Sequence, residues 1–234
     1  MSFSSEIIRC HDRSSKNDRK DLVTSWTEKE LWKDEIKDVF SVIFRTKGCY
    51  WSDKEGCSMC GYYTDTNPDI TEEDLLEQLG TAKKRYDGEE IVKIYTSGSF
   101  LDTGEVPERL ALDILDSFDA EKVLVESRPE FVTEDKILDY SSKTNKLEIA
   151  IGLESANDFV LKNSINKGFS FSDYQDAKEL VLKNDLLLRT YLLLKPPFLT
   201  EKEAIEDVIE SIKKVQHPSN IISINPVNVQ KGSL

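Results

Sequence analysis

Residues 45–63 read RTKGCYWSDKEGCSMCGYY, and three of the chain's four cysteines lie here: Cys49, Cys57 and Cys60, spaced C-x7-C-x2-C. The segment directly follows the apolar run Val39–Phe44 (VFSVIF), a strand candidate. Three thiolates on one loop can hold three corners of a [4Fe–4S] cube, which leaves the fourth iron without a protein ligand. Zinc prefers four ligands, and the two histidines, His11 and His217, are distant in sequence. A structural or electron-transfer cluster also wants a fourth protein ligand. On the residues alone, a zinc clasp, a structural cluster and a cluster with one open iron all remain readings of the loop.

Outward from this loop, apolar runs alternate with helical patterns. Ile91–Thr96, Lys122–Glu126, Leu147–Leu153, Leu186–Leu194 and Ile221–Asn225 read as further strands. Helices are expected over Thr71–Tyr86, Pro107–Phe118 and Thr133–Ser142, from a capping box at Ser172 to Lys183, and from one at Thr200 to Val215. The alternation predicts βαβ crossovers and a mostly parallel sheet, either an open partial barrel or a doubly wound sheet. In both, ligands gather at the carboxyl ends of the strands. Ser97-Gly98-Ser99-Phe100, Glu126-Ser127-Arg128, Gly152-Leu153-Glu154-Ser155, Lys195 and Asn225-Pro226 fall at those ends.

With 234 residues, the chain is expected to form one core domain over 23–234 behind a mobile polar leader, 1–22. The leader lacks the apolar segment of a secretory signal, and no run is apolar and long enough to span a membrane, so a cytoplasmic location is expected. Disulfides are disfavoured in that setting, and Cys10 reads as an incidental thiol. Thirty-one Lys and Arg against 44 Asp and Glu give a net charge of −13. That balance is unfavourable for gripping nucleic acid unaided, because phosphate contacts need basic side chains. No His/Asp/Ser constellation suggests an ordinary hydrolase.

The cysteine loop resembles that of the radical S-adenosylmethionine (SAM) enzymes, although their usual spacing, C-x3-C-x2-C, has a shorter first gap. Gly152-Leu153-Glu154-Ser155 and Asn166-Lys167-Gly168-Phe169 resemble the branch that holds the Elongator catalytic subunit and the methylthiotransferases. The second cluster's three cysteines of a methylthiotransferase are absent here. Arg45–Cys49, Gly56–Tyr62, Thr96–Phe100, Glu126–Pro129 and Asn225–Gln230 are most similar to the archaeosine synthase radical subunits.

The resemblance implies an α/β fold, a partial (β/α)6 TIM-like barrel. It implies a [4Fe–4S] cluster on Cys49, Cys57 and Cys60 and SAM as second cofactor, cleaved to a 5′-deoxyadenosyl radical with one electron from an external donor. The implied reaction is carbon–nitrogen cleavage of a lysine adduct on 7-deazaguanine in tRNA, with a lysine-transferring partner subunit. Family members continue past the position of Leu234, so the core is expected to be truncated at its C-terminus. On the cofactor side the resemblance places Met59, where an aromatic residue is usual, and Gly61. Ser97, Gly98 and Ser99 are expected to meet the methionine ammonium, and Glu126 and Arg128 the ammonium and carboxylate. Glu154 and Ser155 are expected at the ribose, with an N-cap as the rival role for Ser155. Arg189 is a further candidate.

Overall fold

The computed structural model describes residues 3–10, 18–230 and 233–234. Seven strands form one sheet in sequential order: β1 Thr24–Trp32, β2 Glu35–Ile43, β3 Ile91–Tyr95, β4 Lys122–Ser127, β5 Leu147–Glu154, β6 Leu187–Leu194 and β7 Asn220–Pro226. From β2 to β7 every pairing is parallel. A doubly wound sheet reverses its strand order at a switch point; this one does not. Strand upon strand in one direction, with right-handed helical crossovers, curls the sheet into a half-barrel of the expected (β/α)6 type.

The seventh strand is the departure. β1 pairs antiparallel with β2, from Thr24↔Ile43 to Trp32↔Glu35. A two-residue turn joins them, with Lys33 and Asp34 both in the left-handed region (φ 51° and 63°), as tight hairpins require. TSWTEKELW escapes a search for apolar runs because its barrel-facing side carries carboxylates. Glu30 reaches Lys93 on β3, Lys122 on β4 and Arg189 on β6 at 2.8 Å each. Glu148 on β5 holds Lys122 and Arg189 from the other side, again at 2.8 Å. Lys122 and Glu148 are wholly buried. An ionic layer therefore floors the half-barrel.

After the short α1 Phe3–Cys10 and α2 Tyr50–Lys54, helices cover the outer face: α3 Glu72–Arg85, α4 Glu108–Leu115, α5 Glu134–Ser141, the single turn α6 Asp158–Val160, α7 Phe171–Lys183 and α8 Glu201–Val215. Between them and the sheet lies the core, including Val42, Ile94, Val125, Ile149 and Leu188. Each such side chain contributes about 1.5–3 kcal/mol on burial. Reciprocal caps start three helices: Thr71 with Asp74, Ser170 with Asp173, and Thr200 with Glu203. The cap of α7 is Ser170 rather than Ser172, because only the Ser170–Asp173 pair brings an acid to the third helical position.

Of the expected leader, Phe3–Cys10 forms helix α1 with Ile7 buried. Residues 11–17, with His11, lie outside the described ones. Among the described residues no helix is long and apolar enough to cross a membrane.

Candidate active site at the carboxyl rim

The cysteine loop leaves the top of β2 and is held by backbone chemistry. Gly48 turns it with φ 93°, and Cys49 precedes the short helix α2, Tyr50–Lys54. The loop then rests on the segment that follows β5. Ser58 donates from N and Oγ to the carbonyls of Ile165 and Ser164 (2.8 and 2.6 Å). Trp51 Nε1 donates to the Asn166 carbonyl, and Asn166 Nδ2 to that of Gly56, both at 2.8 Å. Gly168 is required beside them: its φ is +77°, and a Cβ would stand 2.5 Å from the Trp51 indole. The Asn166-Lys167-Gly168 motif is thus the bed of the cysteine loop.

The three thiols lie within electrostatic range of one another. Burial raises all three above the ordinary thiol value, and Cys60, beside Cys57 and Cys49, is pushed up to about 12. Among the described residues, no three His, Cys, Asp or Glu side chains are gathered tightly enough to hold one metal ion. Three corners of a cube are three different irons, so a cluster asks for a wider spacing than a single ion does. Cations offset the burial. Arg128 acts on Cys49, and Lys167 and Arg128 act on Cys57.

Arg128 is built in from several sides. Its Nε donates to Glu130 at 2.6 Å, and its Nη1 to the Lys167 carbonyl at 3.0 Å. The guanidinium lies 5.0–5.6 Å from the rings of Phe169, Tyr50 and Trp51. Its Nη2 is buried with no partner. A buried donor left unpaired is rare in a native protein and costs about 1–3 kcal/mol. An unspent guanidinium N–H near Cys49 and Cys57 suits an anionic group, which a thiolate-bound cluster or a carboxylate would be. The donor set therefore fits the implied cofactors.

The second rim loop packs directly on the first. A Cβ on Gly98 would lie 2.7 Å from Cys49 Cα and 2.2 Å from Glu105 Oε2, so only glycine fits. Glu105, which carried no signal in the sequence, is the buried tie of this corner. It accepts from Thr46 Oγ1 and from the Ser99 amide, both at 2.5 Å. Ser99 Oγ in turn accepts from the Arg128 amide at 3.0 Å.

Burial raises the Glu105 carboxyl to about 7. An acid whose folded value is raised holds its proton better folded than unfolded. Its contribution is complete below about 4.5 and lost as pH rises toward 7. The thermal midpoint of the parent is expected to fall over that interval relative to Glu105→Gln, read by differential scanning fluorimetry. Parallel pH profiles would refute the assignment.

Other expected residues divide by height. Glu154 stays at the rim, on a β-bulge in β5 with φ 71°, paired with Lys167 at 3.0 Å. Ser97 is half-buried beside Gly98. Met59 packs against the core, and the Gly61 amide donates to Gln230 Oε1 at 2.6 Å. Glu126 lies lower on the concave wall, beside Tyr191.

Two expectations meet different surroundings. Ser155 is wholly buried and faces the helices: its Oγ donates to Asp207 on α8 at 2.9 Å and accepts from the Asn157 amide at 3.1 Å. That is a turn-forming role, on the side of the strand opposite to Glu154. Arg189 belongs to the floor, near the start of its strand, with donors on Glu148 and Glu30.

No protein-family model matches the chain. Among solved structures, it superposes on queuine lyase from Clostridium spiroforme bound to SAM and queuine, with a TM-score of 0.62, 20% identity, and coverage of 86% of this chain and 81% of that one. Methylornithine synthase gives a TM-score of 0.60 at 16% identity over 83% of this chain and 55% of that one. These likenesses show the fold. Among curated sequences, archaeosine synthase subunit beta of Methanosarcina acetivorans is 41% identical over 219 residues, 90% of this chain and 63% of the relative. The protein of the same name from Thermococcus kodakarensis is 38% identical over 224 residues, 91% of this chain and 69% of the relative. The chain thus spans somewhat under two thirds of the length of the first of these relatives. With most of its length aligned at this identity, the chain belongs to the archaeosine synthase subunit beta family.

Proposed function

We propose that the protein is a radical SAM enzyme of tRNA modification, which cleaves a carbon–nitrogen bond in a lysine adduct on 7-deazaguanine. The observation that carries the reading is the rim: three thiols on one loop at the top of β2, with an unspent, buried Arg128 N–H near Cys49 and Cys57. Family membership supports the substrate. A partner subunit that installs the lysine would bring the RNA-binding charge that a chain of net charge −13 lacks.

In this reading Cys49, Cys57 and Cys60 hold three irons of a [4Fe–4S] cluster, and SAM binds beside it. With one electron from an external donor, the two cofactors would supply radical chemistry that takes a hydrogen atom from the substrate. The chain's own residues hold and shield. Arg128 Nη2 pairs the methionine carboxylate as a charge-assisted donor. The backbone at Ser97-Gly98, free of side chain at Gly98, meets the ammonium. Glu154, held in place by Lys167, serves the ribose hydroxyls. The Glu105 tie keeps the two rim loops in register.

The test is anaerobic reconstitution with iron and sulfide, chemical reduction, and incubation with SAM, the partner subunit and lysine-modified tRNA. Both 5′-deoxyadenosine and archaeosine are expected. Neither product from a verified cluster-loaded pair, or a colourless zinc protein indifferent to oxygen, would reject the reading.

A further inference from the structure

Beneath the rim, the concave wall changes character. Trp26 on β1 stacks on Tyr95 at the end of β3, with centroids 6.2 Å apart and planes within 6°. Tyr191 on β6 stands beside Tyr95 and the Glu126 carboxyl on β4. Between β4 and β6, β5 turns Ala150 and Gly152 to this face; Ala150 sits opposite Glu126, and Gly152 opposite Tyr191. Ala150 brings only a methyl group to it, and the ends of the Glu154 and Lys167 side chains stand above Gly152. Tyr95, Glu126 and Tyr191 all remain partly accessible, whereas Lys122 and Glu148 of the ionic floor below are sealed. The cup is therefore closed underneath, and its wall stays partly accessible.

The chemistry of this layer is specific. It offers a flat aromatic wall and a carboxyl with a tyrosine beside it. Burial, and then the charge of Glu154, raise the Glu126 carboxyl to about 8, so the group gains most from a ligand rich in N–H donors. Glu126 makes no ion pair in the described structure, unlike Glu154 and Glu130, which hold Lys167 and Arg128.

We infer that this layer is a nucleobase site in which Trp26 and Tyr95 face the ring, while Glu126 and Tyr191 read the N–H edge of a guanine-type base. The inference deepens the function proposed above and rests on it, since it names the residues that choose the base. Two parallel N–H donors, the ring N–H and the 2-amino group, match the two oxygens of a carboxylate. An adenine-type edge presents a ring-nitrogen acceptor there, and leaves a carboxylate oxygen facing a lone pair. A site built to hydrogen-bond a group rejects the analogue that lacks it far more strongly than an apolar pocket rejects a methylene. A base in RNA reaches such a cup only when flipped out of its stack.

The experiment is calorimetric titration of the reconstituted protein with free 7-deazaguanine and 7-deazaadenine at a pH above 8, where Glu126 is ionised. The parent is expected to bind 7-deazaguanine at least tenfold more tightly. Glu126→Ala and Tyr191→Phe are expected to erase most of that preference, and Trp26→Ala to weaken both bases. Equal binding of the two bases by the parent would overturn the inference. So would a Glu126→Ala protein that loses SAM affinity and keeps its base preference, since Glu126 would then serve the cofactor. SAM cleavage is measured separately. A protein that cleaves SAM without discriminating the bases fails only this inference; one that discriminates them without cleaving SAM fails only the function proposed above.

Discussion

Replacing Cys57 with alanine is expected to abolish both the iron–sulfur absorbance and SAM cleavage, leaving the fold in place. The loop's shape does not depend on the thiol: Ser58, Trp51 and Asn166 tie it to the segment after β5 through backbone carbonyls. Cys57 itself only packs at the margin of the core. With one corner gone, two thiolates remain for a cube that needs three. The loss should therefore exceed the roughly 10–100-fold that removal of an outer partner costs a metal site. Cys10→Ala is the control. Cys10 stands at the end of α1, where its carbonyl, not its thiol, accepts from Tyr63. Iron and sulfide counts, circular dichroism and 5′-deoxyadenosine yield measure the outcome. A Cys57→Ala protein that retains a full cluster complement would sink the ligand assignment.

The second large effect is expected at the floor. Burial alone would raise the Glu30 carboxyl; hydrogen bonds from Lys122 and Lys93 and the charge of Arg189 outweigh it and hold the group at about 2. A depression from 4.5 to that value corresponds to about 3 kcal/mol. Removing one member of a buried ionic cluster costs a similar amount, about 3–5 kcal/mol, because its partners stay buried without their counter-charge. Glu30→Ala leaves Lys122, wholly buried, with Glu148 alone. We expect a destabilisation of about 3 kcal/mol, or a thermal midpoint lowered by about 6–12 °C for a chain of this size. The sign with pH follows from the lowered value. The contribution is complete above about 4.5 and is lost as pH falls toward 2. The gap between parent and Glu30→Ala should therefore narrow in acid. A midpoint within 1 °C of the parent at neutral pH would show that the ionic floor adds nothing to stability.

These two sites differ in how far the sequence announced them. The cysteine loop stood out in the sequence because three cysteines fall within twelve residues, and because the apolar run before it marks a strand. The six parallel strands were legible for a related reason: strands buried on both faces read as unbroken apolar runs. β1 was not, since TSWTEKELW becomes a strand only when Glu30 meets cations from β3, β4 and β6. Glu105 was equally silent. Nothing in its neighbourhood distinguishes it from the chain's other 43 acidic residues until Thr46 and Ser99 close around it.

Arg189, Ser155 and Glu126 show the limit most clearly. All three fall on or beside strand ends that the sequence located well. Yet one-residue alternation and one extra edge strand send Arg189 to the floor and Ser155 to the helix side, and leave Glu126 on the concave wall. Local pattern determined the order of strands and helices, the thiol triad and the rim on which chemistry would gather, because each follows from neighbours along the chain. Which side chains meet across the barrel depends on curl, register and bulges, which sum contacts over strands more than 150 residues apart, as between Glu30 and Arg189. Only the tertiary structure decided those.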